Sequence, residues 1–336
     1  MLRILHDTKY DFIKYWRTAA IGTIAFIALG MVLLGVHHFR TGSALNYSVE
    51  FTGGAVIQLS FDKAPNSDAV RAAVDQAGFP GAEVATFGDA QNYSVKVQPR
   101  SGEKAAANAE GIGAQIASAL TKSMPNDHVK VVRAESVGTS VGSELQTKAI
   151  TAIFISFIVT LIYLAIRFEW RFGVAATIAT MHDLLTTMAF LAMLRLEISL
   201  TVVAALLTVI GYSLNDTIII FDRVRENLKK QRKESLRDVL NRSINETLPR
   251  SILTHATVLA AVLSLLFFAG EVIRPFSWIM AFGVFTGTFS SIYVAGAILL
   301  WIEHKWPRTT GAETKGTARA LAETRRQESP ASVTTR

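Results

Sequence analysis

The chain has 336 residues, of which half are hydrophobic and 18% are charged, with no cysteine and a formal net charge of +7. Soluble domains carry about a quarter charged residues, so this composition indicates long uncharged runs and disfavours an ordinary soluble enzyme. The lack of cysteine excludes disulfides, thiolate metal sites, iron–sulfur clusters and cysteine nucleophiles.

Six apolar runs are long enough to cross a membrane, because a helix needs about 20 apolar residues to span the hydrocarbon core. The first run follows a polar N-terminal stretch and lacks a small-residue cleavage site at its end, so we interpret it as a retained anchor and not as a signal peptide. The predicted spans are residues 18–36, 149–166, 172–194, 198–221, 251–269 and 276–302.

Lysine and arginine are concentrated in every second connection between these runs. Positive flanks stay on the cytoplasmic side, so both termini are expected there and residues 37–148 are expected outside. The cytoplasmic parts are then an N-terminus at 1–17, an amphipathic segment at 222–250 lying on the membrane surface, and a disordered tail at 303–336.

The outer segment, residues 37–148, is predicted to fold as a small α+β domain. An apolar β-rich run, cap and turn residues, and an alanine-rich stretch predict strands at 55–61, 82–87, 93–98 and 129–137, with helices at 68–77 and 103–122. This β-α-β-β-α-β order is the ferredoxin-like pattern. The predicted fold is therefore an α-helical polytopic membrane protein with six transmembrane helices and a ferredoxin-like α+β periplasmic domain between the first two. The outer segment has a net charge of −1, from 10 basic and 11 acidic residues, which gives no sign of a nucleic-acid partner.

Enzyme motifs find little support in the sequence. It has no phosphate-binding glycine loop and no His-Glu-x-x-His zinc motif, so no cofactor or metal is expected. The stretch Gly138–Gly142 matches the Gly-x-Ser-x-Gly nucleophile pattern, but no histidine follows on the same side of the membrane. We interpret it as a glycine-rich hinge between the outer domain and the second span.

Two acidic residues lie well inside predicted spans, where an ionisable group costs several kcal/mol and is usually functional. Asp216 lies in the fourth span beside Asn215 and one turn from Tyr212, which gives a polar stripe. Asp183 follows His182 in the third span. The His182-Asp183 pair is open to two interpretations, a step in a proton relay or a hydrogen bond between helices.

Arg250 stands at the start of the fifth span, at about the depth of Asp216. One interpretation is that its guanidinium faces Asp216 as a counter-charge. The other is that it follows the positive-inside rule and extends to the lipid headgroups. Both stay open from the sequence.

The sixth span carries small residues every four positions, which lets another helix approach closely. Either an internal neighbour or a partner subunit fits this stripe. Its members are Gly283, Gly287, Ser291 and Ala295.

Several of these segments together resemble a known family, the SecD/SecF membrane proteins of bacterial protein export. The resemblance rests on Phe51, Gly53 and Gly54, on Gly138 and Gly142 within residues 137–145, and on the stretches 212–217 and 221–227. It extends from the first span to about residue 301. One departure is Glu50, which stands where the family usually has an aspartate.

The resemblance implies a bacterial inner-membrane protein that forms half of an RND-like unit. It also implies a SecD-like partner subunit, action with the SecYEG channel on exported unfolded proteins, and use of the proton-motive force without any bound cofactor. It assigns Asp216 and Arg250 to the proton pathway. Two alternatives stay open: an RND-like exporter half for lipids or small molecules, and a structural membrane scaffold.

Overall fold

The computed structural model describes residues 8–97, 109–125, 127–230, 234–269 and 273–307. Within this part of the chain, six helical segments are long and apolar enough to span a membrane, one at each predicted run. The predicted disordered tail beyond residue 307 and the first residues of the helix predicted at 103–122 lie outside the described residues.

The spanning helices are longer than the apolar runs that predicted them. A short 3-10 helix, Phe12–Tyr15, leads into the first of them, and the sixth span consists of α9, a π-helical turn at Ser291–Ala295 and α10. Their bounds are α1 Trp16–Thr41, α5 Thr139–Arg167, α6 Trp170–Leu194, α7 Leu200–Lys230, α8 Leu236–Phe268, α9 Arg274–Ser290 and α10 Gly296–Lys305.

Helix α6, helix α7 and the sixth span, from α9 to α10, form the centre of the bundle. In each, half or more of the most apolar stretch is buried, whereas only 6% of that stretch is buried in α1 and in α5. The outer helices therefore present apolar side chains to lipid or to another subunit. Gly30 of α1 lies directly against Ala189 of α6, which fixes the first helix to the centre.

The segment between α1 and α5 folds into an α+β domain. Its elements are β1 Asn46–Tyr47, α2 Val49–Thr52, β2 Gly54–Phe61, α3 Ser67–Gln76, β3 Glu83–Phe87, β4 Asp89–Val97, α4 Ala109–Ser123 and β5 Val129–Val137. From β2 onward the order is the predicted β-α-β-β-α-β. The strands form an antiparallel sheet in the order β3-β4-β2-β5.

Alternate residues of β2 point into the core of this domain, as the strand period requires. Ile57 and Leu59 are almost fully buried, and they share a hydrophobic cluster with Val95 of β4 and with Ile116 and Leu120 of α4. The domain thus has a core of its own, separate from the helical bundle.

The α+β domain lies at the end of the bundle where α6 is connected to α7. There β1 pairs in parallel with β6, Glu197–Ile198. The Lys96 ammonium of β4 also lies 2.6 Å from the Glu197 carboxylate. The domain and the 195–197 connection therefore share one side of the bundle, as the charge pattern predicts.

The predicted surface segment at 222–250 is not a separate element. Helix α7 continues through its charged end to Lys230, and α8 begins at Leu236 and passes through Pro249 without a break. The reason is a stripe of buried residues on α8 that runs from Leu240 and Ile244 through Leu248 to Ser251. Because of this stripe, one face of the charged part of the helix is buried in the bundle, as in the apolar part.

The Gly138–Gly142 hinge is also corrected, because this stretch begins the helix that continues into the second span. Gly138 caps α5, which begins at Thr139, so Gly142 lies inside a helix. A Cβ atom on Gly142 would lie 2.8 Å from the carbonyl oxygen of Phe51, and one on Gly53 would lie 2.8 Å from the Cα of Thr139. The two glycine motifs are therefore the two sides of one close backbone contact. Gly53 and Gly54 both have positive φ, 75° and 125°, which is accessible to glycine.

Candidate functional site

Asp216 is the centre of a polar cluster inside the helical bundle. Its side chain is on α7 and the residue is 4% exposed. The Ser251 hydroxyl of α8 donates to Asp216 Oδ1 at 2.5 Å, and the Ser291 hydroxyl donates to Oδ2 at 2.6 Å. Two other spans therefore supply the hydrogen-bond partners of this buried carboxylate.

The cluster continues along α8 through backbone and ring contacts. The Nδ1 atom of His255 is hydrogen bonded to the backbone carbonyl of Ser251 one turn away. The imidazole ring of His255 also packs edge-on against the ring of Tyr212, with centroids 5.3 Å apart. The Tyr212 hydroxyl is buried and has no hydrogen-bond partner among the described residues.

Asp183 forms a second buried carboxylate cluster on α6, and the residue is 1% exposed. The hydroxyl groups of Ser213 and Ser290 both donate to its Oδ2 atom, the latter at 2.6 Å. His182 Nδ1 lies 3.0 Å from Oδ1. Asp183 thus has three partners: His182 on its own helix, Ser213 on α7 and Ser290 on α9. The bonds from Ser213 and Ser290 are the inter-helix bonds that one of the two interpretations predicts.

The two carboxylate clusters meet at the π-helical turn of the sixth span. Ser290 ends α9 and Ser291 begins the turn, which runs to Ala295. The widened backbone changes the direction of successive side chains at this point. Single π-helical turns inside α-helices occur frequently at functional sites.

Arg250 does not face Asp216 in this structure. Its side chain is exposed, and the hydrogen-bond partners of the carboxylate are the hydroxyl groups of Ser251 and Ser291. Arg250 immediately precedes Ser251, so it is rotated about 100° around α8 from the residue that faces Asp216. The contact with Asp216, one of the two interpretations left open for Arg250, is therefore not found among the described residues. A part for Arg250 in proton transfer stays a prediction.

Sequence reasoning missed the serines as ligands of the carboxylates. A hydroxyl group inside an apolar run gives no charge signal, and the spacing of Ser291 indicates only a small residue of the four-residue stripe. The signal that was available is the pair of consecutive serines, Ser290 and Ser291, opposite two intramembrane acids.

The small-residue stripe of the sixth span packs internally, against α7. Gly283 lies directly against the side chain of Val209, and a Cβ atom on Gly287 would lie 3.2 Å from Ser213 Cβ. The sequence left open whether an internal helix or a partner subunit packs on this stripe. In the structure, the internal helix α7 does so. Ser291, which belongs to the same stripe, donates to Asp216 of α7.

A bundle of six apolar helices with hydrogen-bonded carboxylates at its centre and an α+β domain inserted after the first helix defines a polytopic membrane protein of the transporter class. Within the described residues, no group of three or more histidine, aspartate or glutamate side chains is placed to hold a metal ion.

Comparisons with known proteins give the family. Residues 115–305 match the model of the protein export membrane protein SecD/SecF C-terminal domain, and residues 42–65 match the SecD/SecF GG motif. The chain belongs to the SecD/SecF family of protein export membrane proteins. It is 56% identical over 322 residues to the protein translocase subunit SecF of Gemmatimonas aurantiaca, with 95% of each chain covered. It is 37% identical to the same subunit of Escherichia coli O157:H7, with 88% of each chain covered.

A solved structure has the same architecture. The crystal structure of SecDF, a translocon-associated membrane protein from Thermus thermophilus, matches 90% of this chain with a TM-score of 0.78 and 32% identity. This chain spans 40% of the length of that SecDF chain. A SecDF structure in a super-membrane-facing form matches 95% of this chain with a lower TM-score of 0.63.

Proposed function

We propose that this chain is the SecF-type subunit of a protein-export complex in a bacterial inner membrane, and that proton movement through Asp216 drives its cycle. The observation that carries the proposal is the environment of Asp216, a buried carboxylate with hydroxyl groups as its hydrogen-bond partners. The SecF names of its relatives supply the export context.

The chemistry of the cluster fits proton binding and release. A carboxylate can bind and release a proton, and a cation that comes close interacts favourably with its charged form. Hydroxyl groups can reorient and serve either state, since they both donate and accept hydrogen bonds. In this proposal Arg250 is the cation, and its guanidinium acts electrostatically because it does not deprotonate in proteins.

The energy available is sufficient for movement of a domain. One charge that crosses 100 mV releases about 2.3 kcal/mol, and a pH gradient adds to this. A few protons per cycle therefore match the free-energy differences between conformations of a protein, which are a few kcal/mol. The proton gradient is the only energy source that the proposal needs.

A SecD-like partner is part of the proposal. Thr208, Gly211 and Asn215 lie along one exposed face of α7, and Arg250 of α8 is exposed as well. An asparagine or arginine that faces lipid at membrane depth costs several kcal/mol. A second helical subunit on this face removes that cost, and the SecDF chain of Thermus thermophilus is long enough to contain such a second half.

The charge pattern and the family support the remaining parts of the proposal. Both termini are cytoplasmic, and the α+β domain, whose strand order fits the ferredoxin-like class, is periplasmic. There it acts on exported unfolded proteins that leave the SecYEG channel. The apolar faces of α1 and α5 contact membrane lipids.

The test is export in a strain that carries Asp216→Asn in place of the native chain. We expect proton-dependent export to be lost while the variant stays folded and bound to its partner. Asp68→Asn, which changes a carboxylate with an 87% exposed side chain on α3, is the matched control and keeps export. Full export with Asp216→Asn contradicts the coupling role and favours the scaffold alternative.

A further inference from the structure

We infer that Glu50 is a positioning residue that links the α+β domain to the first turn of α7 and transmits displacement of that helix to the domain. The inference rests on the proposed function, because the displacement is the one that proton binding at Asp216 produces. It concerns a side chain of the α+β domain that lies far from the proton site along the chain.

The contact itself is short and charge-assisted. The backbone N–H of Leu200, the first residue of α7, donates to Glu50 Oε2 at 2.6 Å. The Ser48 hydroxyl donates to the same oxygen at 3.4 Å. The free N–H groups of a first turn carry partial positive charge, so a carboxylate is the favoured partner there.

The short helix α2, which carries Glu50, is fixed on its other side to α5. The carbonyl of Phe51 lies against Gly142, and Gly53 lies against Thr139. The ring of Phe51 is 5% exposed and belongs to the same hydrophobic cluster as Val202 of α7. Helix α2 therefore lies between the first turns of α5 and α7. Glu50 makes its polar contact with α7.

Helix α7 is suited to carry a displacement from Asp216 to Leu200. It is one continuous helix over these residues. Between Leu200 and Asp216 it contains no proline, and Gly211 is its single glycine. At 1.5 Å per residue, Asp216 lies about 24 Å from Leu200 along the helix axis. A tilt or shift of the helix at Asp216 therefore moves the amide that Glu50 holds.

The other polar connections between the domain and the bundle reach the loop before α7. Strand β1 pairs with β6, and Lys96 pairs with Glu197. The Ser48 N–H also donates to the carbonyl of Ile198 at 2.9 Å. These contacts keep the domain in place when Glu50 is changed, so removal of the carboxylate is expected to uncouple the domain without releasing it.

The experiment uses the full chain in lipid vesicles with its SecD-like partner, and the lack of native cysteines allows two specific spin labels. Cysteines replace Ser118, exposed on α4, and Leu194, which is 48% exposed at the end of α6. The distance between the labels is measured with Asp216 and with Asp216→Asn, each with Glu50 and with Glu50→Ala. Infrared spectra follow the carboxyl band of Asp216 as the pH changes.

We expect Asp216→Asn to shift the label distance when Glu50 is present. Glu50→Ala is expected to reduce the population of the shifted conformation by about tenfold, the effect of losing one charge-assisted hydrogen bond. Glu50→Ala is also expected to leave the infrared band of the Asp216 carboxyl group unchanged. A misfolded variant would alter this band, because the surroundings of Asp216 would change. Glu50→Gln keeps an acceptor oxygen and retains most of the shift, and Glu110→Ala, an exposed glutamate of α4, retains all of it.

Two results contradict the inference in distinguishable ways. If Asp216→Asn shifts the distance equally with and without Glu50, transmission through Glu50 is wrong and the proposed function stands. If Asp216→Asn produces no shift in the presence of Glu50, the proposed function itself is wrong, and the transmission falls with it.

Discussion

Ser290 and Ser291 are consecutive residues of the sixth span, yet their hydroxyl groups donate to two different buried carboxylates. Ser290 donates to Asp183 on α6 and Ser291 to Asp216 on α7, each at 2.6 Å. The π-helical turn that begins at Ser291 is the local change in backbone that accompanies this divergence. The sixth span thus connects a carboxylate enclosed by three partners with one held by two hydroxyl groups.

This pair of serines gives a matched test of the two clusters. We predict that Ser291→Ala lowers proton-dependent export by about tenfold, because Asp216 loses one of its two hydrogen-bond donors. Ser290→Ala is predicted to keep the proton dependence, since Asp183 retains Ser213 and His182. Ser264→Ala, an exposed hydroxyl of α8 bonded only to the carbonyl one turn earlier, is the control. Equal loss of export in both serine variants contradicts the separation of the clusters.

Asp183 is predicted to stabilise the bundle. Asp183→Asn replaces one acceptor oxygen by a donor in a site where hydroxyl groups already donate, so we expect a loss of about 1–3 kcal/mol in the free energy of unfolding. The midpoint of thermal unfolding in detergent measures this. The pH dependence of export is expected to be unchanged, and a changed pH profile in Asp183→Asn would return this residue to the proton relay.

The contact between the two glycine motifs is predicted to be sensitive to a single methyl group. Gly142→Ala places a Cβ atom 2.8 Å from the Phe51 carbonyl and forces α2 away from α5. We expect a loss of about 1–3 kcal/mol in stability. Gly22→Ala in α1 is the control, because no atom lies within 4 Å of its added Cβ. Comparable thermal midpoints for the two variants would show that the close approach is unnecessary.

The packing of α9 on α7 can be tested with a compensating pair. Gly283→Ala places a methyl group against Val209 and is expected to destabilise the bundle by about 1–3 kcal/mol. Val209→Ala removes the opposing methyl groups, so the cost of Gly283→Ala is predicted to fall by about 1 kcal/mol in that background. A double-mutant cycle on thermal unfolding checks this, and strict additivity would contradict the contact.

The apolar runs predicted the six spans because a membrane-length hydrophobic stretch is a strong local signal. The order of the α+β domain was also accessible, because strand and helix periods differ clearly in residues such as those of β2 and α3. Helix ends were less accessible. The charged residues between Phe221 and Ser251 predict a separate segment. In the structure α8 extends into this region, because Ile244 and Leu248 are buried there.

The functional cluster was only half predictable. Asp183 and Asp216 stand out in the sequence because charges inside spans are rare. Their partners do not, since the choice of Ser251 over the adjacent Arg250 depends on the rotation of α8 about its axis. The close approach of Gly53 and Gly142 joins residues far apart in the chain, so their glycine motifs were separate features until the packing of α2 on α5 was known.

The most direct measurement of the central role of Asp216 is proton flux across vesicles that contain this chain and its SecD-like partner. With an imposed pH gradient and membrane potential, the native complex is predicted to conduct protons at a rate above that of empty vesicles. The Asp216→Asn complex, assembled to the same level, is predicted to show only the rate of empty vesicles, whereas Asp68→Asn keeps the native rate. Native proton flux through the Asp216→Asn complex would contradict the assignment of Asp216 as the proton-binding group.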